Sequence, residues 1–187
     1  MSAEDRRVRI RQLHTDQLTA VEVAAVRELL WAAFADDEDG EFTEDDWQHS
    51  IGGVHFVLEV DTEIVCHASV VGREIQVGGR PLRTGYVEAV ATAPGQQLRG
   101  YGSAVMRELA SHIEPNFELG ALGTGRQSFY ERLGWQIWRG PSYVRTAGGL
   151  ERTAEDDGYI LVLATPSSPA LDLDAPISCE WRPGDAW

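Results

Sequence analysis

Six residues near the middle of the chain, Gln97-Leu98-Arg99-Gly100-Tyr101-Gly102, have the types and spacing to hold a diphosphate. They follow a run rich in β-branched residues that ends near Thr92, and an amphipathic stretch comes after them. The glycines therefore stand where a helix begins, and its first N–H groups, lacking intrahelical acceptors, attract anions. Gly100 and Gly102 have no Cβ, so main chain there can approach phosphate oxygens closely, and Arg99 adds a positive charge. The spacing is Q-x-x-G-x-G, with Pro94 three residues earlier. A dinucleotide fingerprint would read G-x-G-x-x-G and follow the first strand, which this turn does not. A glycine-rich turn that binds nothing is the bland alternative.

Other residues have chemistry available to them. Glu88 precedes Val90 by two on the strand that leads to the turn. Spacing alone leaves its carboxylate equally a general base or an outward-facing strand residue. Tyr130 lies four residues before Gly134, at a helical position where an aromatic ring ordinarily packs in a core. A phenol with its ordinary pKa near ~10 is also a proton donor at neutral pH. Residues 36–46 hold eight of the chain's thirty acidic residues, a concentration that suits a cation site or simply a solvated loop.

Several elements must position these groups. Residues 8–13 read as a first strand, and Thr15 or Asp16 is the expected cap of a helix whose apolar residues Val21, Ala25, Leu29 and Ala33 repeat every four, with Val26, Leu30 and Phe34 beside them. Thr43-x-x-Asp46 has the form of a capping box and opens a short second helix. Three strands follow over residues 54–60, 63–77 and 80–90, the last two joined by a tight Gly78-Gly79 hairpin. A helix from about Gly100 buries Val105, Met106, Leu109 and Ile113, and residues 117–122 form a strand. Thr124-x-x-Gln127 is a second box whose helix Gly134 stops, and strands over 135–138 and 159–164 complete the order. Hairpins mixed with crossover helices predict an α+β domain. At 187 residues, with no linker or repeat, a single domain over 1–187 is expected, residues 165–187 forming an irregular tail.

Composition removes whole classes of function. The net charge is −14, and all sixteen basic residues are arginine. Nucleic-acid and anionic-membrane binding need basic surface, and a Walker A loop needs its lysine. An acidic field attracts cations instead. Cys66 and Cys179 form no C-x-x-C pair and read as packed thiols in a reducing cytoplasm. No apolar run reaches the ~20 residues of a membrane span, and no signal sequence is visible. The five histidines lack zinc-ligand spacing, and no G-x-S-x-G is present, so no metal is expected.

The Q-x-x-G-x-G turn, the strand before it and Phe129-Tyr130-Glu131-Arg132-Leu133-Gly134-Trp135 resemble the GNAT superfamily of acyl-CoA-dependent N-acyltransferases. The likeness narrows with Phe42-Thr43-Glu44-Asp45-Asp46-Trp47, Gly85-Tyr86-Val87-Glu88, Leu119-Gly120-Ala121-Leu122, Asp156-Asp157-Gly158 and Cys179-Glu180-Trp181-Arg182-Pro183-Gly184-Asp185-Ala186-Trp187. These look like the aminoglycoside 2′-N-acetyltransferases of actinobacteria, over nearly the whole chain. The resemblance implies a GNAT-type mixed, mostly antiparallel sheet flanked by about four helices. It implies acetyl-CoA as cosubstrate, held by Val90, Thr92, Gln97, Leu98, Arg99, Gly100, Tyr101 and Gly102. Glu88 would be the base, through a water, and Tyr130 the acid that protonates the departing thiolate. Glu41, Asp46, Glu88, Asp156, Asp185 and Trp187 would bind a cationic aminoglycoside, Trp187 through its terminal carboxylate and a stacked indole. A cytoplasmic homodimer conferring antibiotic resistance is likewise implied. Other acceptors, such as a polyamine, a cell-wall amino sugar or a protein N-terminus, stay open, as does a non-catalytic acetyl-CoA-binding regulator. The chain departs from the family pattern at Glu41, more often aspartate, at Ala89, more often glycine, and at Gly123, where a hydroxyl-bearing residue usually stands. It also has a longer stretch before the turn.

Overall fold

A computed structural model of the chain describes residues 7–35 and 41–187. The acidic stretch 36–40 lies outside the described residues. The elements are β1 (Val8–His14), α1 (Ala20–Phe34), α2 (Glu44–His49), β2 (Val54–Val60), β3 (Glu63–Val77), β4 (Arg80–Thr92) and α3 (Tyr101–Asn116). They continue with β5 (Leu119–Gly123), α4 (Gln127–Glu131), β6 (Gln136–Ile137), β7 (Ser142–Thr146), β8 (Gly149–Arg152), β9 (Ile160–Ala164) and β10 (Ile177–Glu180). The class is α+β with a mixed, mostly antiparallel sheet, as expected; β4–β5 and β10–β7 are the parallel pairs. The chain forms two compact units, one of Met1–Val71 with Glu88–Leu109, the other of Gly72–Val87 with Ala110–Trp187.

In the first unit β1, β2 and the first half of β3 pair antiparallel, with Val8 opposite Val60 and Val54 opposite Val70. Helix α1 begins later than the sequence suggested. Residues Thr15–Gln17 make a 3-10 turn, Leu18 is extended, and Thr19 caps the helix in a reciprocal box with Glu22. Thr15 is followed three residues on by Leu18 and Asp16 by Thr19, whereas Thr19 finds the carboxylate a box requires. Helix α2 starts as expected at Thr43, boxed with Asp46. Val26, Leu29 and Leu30 of α1 pack with Trp47 and Ala91. Burying aliphatic side chains of that size is worth about 1.5–3 kcal/mol each.

In the second unit β5 lies between β4, which it meets parallel, and β9, which it meets antiparallel. Gly85 and Gly120 are register partners, and neither has room for a side chain. A Cβ on Gly85 would lie 2.9 Å from the Phe117 ring and 3.0 Å from Ile113; one on Gly120 would lie 3.0 Å from Leu163. Two mid-strand glycines thus mark where the end of α3 presses onto the sheet. Gly134 stops α4 at φ 92°, as expected. Thr124 does not cap that helix: Arg126 holds the cap position, and the Thr124 hydroxyl accepts the Arg126 N–H at 3.0 Å instead. Three strands were not anticipated. β7 and β8 form a hairpin, and β10, within the segment expected to be irregular, lies between β3 and β7.

Candidate active site

The first unit contains the strand, turn and helix start singled out in the sequence. Ala89 sits in β4 at φ 53°, a left-handed conformation unusual for a residue with a Cβ. The carbonyls on either side of this kink are taken by side chains of β3. Ser69 Oγ donates to Glu88 O at 3.2 Å, and His67 Nδ1 to Ala89 O at 2.8 Å. Glu88 and Val90 flank the kink and are half-buried. Further on, the Thr92 hydroxyl donates to Cys66 Sγ at 3.3 Å and Ala93 N to Val65 O at 2.8 Å.

The chain then turns through three positive-φ residues, Gly95 (80°), Leu98 (61°) and Gly100 (83°). Leu98 and Gly100 are two apart, the spacing at which a left-handed residue can turn neighbouring N–H groups towards an anion. Gly100 O accepts from Ala104 N at 2.9 Å, so Gly100 occupies the cap of α3 with no side chain to satisfy the amides that follow. Gln97, Leu98 and Arg99 are exposed, and Val105, Met106 and Leu109 anchor the helix. A strand, a positive-φ turn, an uncapped helix start and an exposed guanidinium fit a diphosphate. Of the acceptor-binding candidates in this unit, Glu41 is exposed. Asp46 has one oxygen committed, Oδ2 accepting from Thr43 N at 2.8 Å and Thr43 Oγ1 at 2.7 Å.

The second unit holds the remaining candidates. Tyr130 is buried in α4, edge-on to Phe129 and Trp135. Asp156 follows a different course from its neighbour Asp157. Asp157 is held down to about 2 by its pair with Arg152 and by bonds from Ser142. Asp156 is pushed up, first by partial burial and then by the nearby charges of Asp185, Glu155 and Asp157, with the Thr153 hydroxyl opposing. A half-buried carboxyl, raised chiefly by burial and further by other carboxyls, is one that a bound cation would relieve.

The tail is folded by arginines. Arg73, 7% exposed, donates Nη1 to Ala186 O at 2.9 Å, Nη2 to Glu180 O at 3.1 Å and Nε to Glu180 Oε1 at 3.0 Å. Its guanidinium lies 4.5 Å from the centre of the Tyr86 ring, and that of Arg182 lies 5.5 Å from it. Arg182 Nε also donates to Asp185 O at 2.8 Å. Trp187 is packed at 7% exposure rather than presented as an open stacking platform, and its indole N–H has no acceptor among the described residues. A Cβ on Gly123 would stand 3.2 Å from the Trp187 main-chain carbon and 3.5 Å from the Tyr86 hydroxyl. Gly123→Ser is therefore expected to shift the Trp187 indole N–H resonance in ¹⁵N-edited spectra, with the unfolding midpoint changed by a few degrees at most. An unmoved resonance would disprove that contact.

Sequence reasoning singled out neither His55, His67 and Ser69 nor Arg73, although all four are buried. The available signal was polar residues among the buried positions of β2 and β3, since such groups stay buried only with a partner.

A strand kinked before a positive-φ turn at a helix start, within a mixed sheet, is an arrangement that suits an acyltransferase using a CoA thioester. The chain matches the acetyltransferase (GNAT) domain model over residues 14–138 and belongs to that family. It is 35% identical to an aminoglycoside 2′-N-acetyltransferase of Mycolicibacterium fortuitum over 181 residues, 95% of this chain and 91% of the relative. Solved structures share its fold at lower identity. YhbS from Escherichia coli, a GNAT family N-acetyltransferase in complex with CoA, superposes with a TM-score of 0.64 at 14% identity, covering 96% of this chain and 93% of that one. A GNAT acetyltransferase from Brucella melitensis in complex with acetyl-CoA gives 0.59 at 19%, covering 89% and 94%. Among the described residues no group of three or more His, Cys, Asp or Glu could hold a metal ion, and no helix is long and apolar enough to cross a membrane.

Proposed function

We propose that this acetyltransferase moves the acetyl group of acetyl-CoA onto the 2′-amine of aminoglycoside antibiotics, in a ternary complex, as a cytoplasmic homodimer conferring resistance. The observation that carries the acceptor is the 35% identity over 95% of the chain to an aminoglycoside 2′-N-acetyltransferase. Asp156 supports it: burial chiefly, and the Asp185 charge to a lesser degree, raise its carboxyl, and a polycationic sugar would favour the charged form.

In this scheme residues 97–102, with main chain at Val90 and Thr92, hold the cosubstrate. The amine attacks the thioester carbon, forming C–N, and the adduct collapses with cleavage of C–S. Glu88 takes the ammonium proton through a water, the Val90 N–H stabilises the carbonyl oxygen as it gains charge, and Tyr130 gives its proton to the sulfur. Glu41, Asp46, Glu88, Asp156, Asp185 and Trp187 bind the acceptor. Holding the two reactants together supplies a large part of the acceleration.

The test is thiol release from acetyl-CoA with aminoglycosides that carry or lack a 2′-amine, and with spermidine. Turnover confined to the 2′-amino compounds is expected. Turnover with spermidine alone would move the acceptor to polyamines, and acetyl-CoA binding without any turnover would make the chain a sensor.

A further inference from the structure

His55 and His67 are both 0% exposed, as is Ser69. In the β2–β3 ladder His55 stands opposite Ser69 and Val57 opposite His67, so the two imidazoles are diagonal neighbours on one face. They form a continuous chain. Thr15 Oγ1 lies 2.8 Å from His55 Nε2, His55 Nδ1 lies 2.9 Å from His67 Nε2, and His67 Nδ1 lies 2.8 Å from Ala89 O.

With both rings neutral, the last contact sets the order of protons along that chain. A carbonyl oxygen only accepts, so His67 carries its proton on Nδ1 and offers a lone pair at Nε2. His55 must then donate from Nδ1 and accept at Nε2, which makes the Thr15 hydroxyl its donor. The Gly52 N–H donates to the same hydroxyl at 3.0 Å; the other acceptor within its reach, Gly53 O at 3.2 Å, also takes the Thr15 N–H at 3.1 Å, and His55 Nε2 is the nearer of the two. Both rings are neutral in this arrangement, and burial pushes His55 down to about 4 and His67 to about 3. Ala89 O has no proton to pass on, so the chain is a brace and not a proton wire.

What it braces follows from peptide planarity. Ala89 C=O and Val90 N–H belong to one rigid trans peptide unit and point in opposite directions. Fixing the oxygen therefore fixes the N–H, at a kink where alanine would not otherwise hold a left-handed φ of 53°. A donor on the oxygen also polarises the amide and strengthens its N–H as a donor. Ser69 does the same for the preceding peptide through Glu88 O.

We infer that His67, backed by His55 and Thr15, is a positioning residue that aims and polarises the Val90 N–H at the acyl carbonyl. The inference rests on the role given to Val90 above, and it needs no knowledge of the acceptor.

The test is the infrared carbonyl stretch of ¹³C-labelled acetyl-CoA bound to the intact protein, which reads the hydrogen bond directly. In the native protein the stretch should fall below that of free thioester. His67→Asn, which keeps an N–H near the Nδ1 position, should retain most of the fall. Thr15→Val should lose part of it, and His67→Leu nearly all. For His67→Leu, kcat should drop about 10–100-fold, with KM for acetyl-CoA and the affinity for free CoA within about two-fold. An equal fall in all four proteins would overturn the inference and leave the role of Val90 standing. No fall in the native protein would overturn both. Should His67→Leu not fold, a Thr15→Val stretch identical to the native one overturns the inference by itself.

Discussion

Glu88→Gln should lower kcat for acetyl transfer at neutral pH by about 10²–10⁴-fold, the usual worth of a general base. The substitution keeps shape and removes the proton acceptor together with its negative charge. Its pH dependence distinguishes a base from a structural carboxylate. An ammonium acceptor must lose a proton before it can attack, and at neutral pH most of it is charged. As pH rises towards the amine's own pKa the acceptor deprotonates in bulk water and Glu88 has less to do. The loss should therefore be largest at low pH and shrink as pH increases. CoA affinity, measured by calorimetry, should hardly move, because the Glu88 side chain is no part of the turn at residues 97–102 proposed to hold the diphosphate. Rates unchanged across the profile would remove Glu88 as the base, and an equal loss at every pH would assign it to binding.

The second large effect is expected at Arg73. Arg73→Gln removes a guanidinium that bonds two tail carbonyls, Glu180 O and Ala186 O, and the Glu180 carboxylate. The Glu180 side chain is 43% exposed, so the ion pair itself contributes little; the buried carbonyl contacts matter more. Their loss should cost about 3 kcal/mol, which in a chain of this size lowers Tm by roughly 6–12 °C. The functional consequence is the more informative one. The Trp187 main chain beside Gly123 should lose its anchor, raising KM for the proposed aminoglycoside acceptor about ten-fold or more while CoA affinity stays put. Parallel loss of both affinities would mean general unfolding, and unchanged aminoglycoside KM would detach the tail from acceptor binding.

Much of this was legible in the residues alone, and what was not has a common physical cause. The β2–β3–β4 run declares itself through β-branched residues and the Gly78-Gly79 turn. α2 declares itself through Thr43 and Asp46, and the turn before α3 through Gly100 and Gly102, of which Gly100 takes a positive φ while Gly102 lies inside the helix. These are local signals. β8 is exposed at every residue, so no alternation marks it, and β10 is four residues long. What holds β10 is pairing with Tyr143 and Val77, which are distant in the chain. Thr19 was missed as the α1 cap because Thr15 and Asp16 offer similar side chains four and three residues earlier. The imidazole brace was illegible for the same reason as β10, since it joins a turn and three strands. Of the candidate site, residues 97–102 were visible through their spacing, whereas Glu88 and Tyr130 became candidates only through resemblance.

The placement of β10 also bears on how the protein is made. Val77 at the end of β3 waits for Ile177 as its antiparallel partner, so the nascent chain exposes an incomplete strand edge while everything between is translated. At ~5–20 residues per second that interval is roughly 5–20 s on the ribosome. Non-local pairings of this kind also form slowly after release, which prolongs the time during which the open edge can template association with a neighbouring polypeptide.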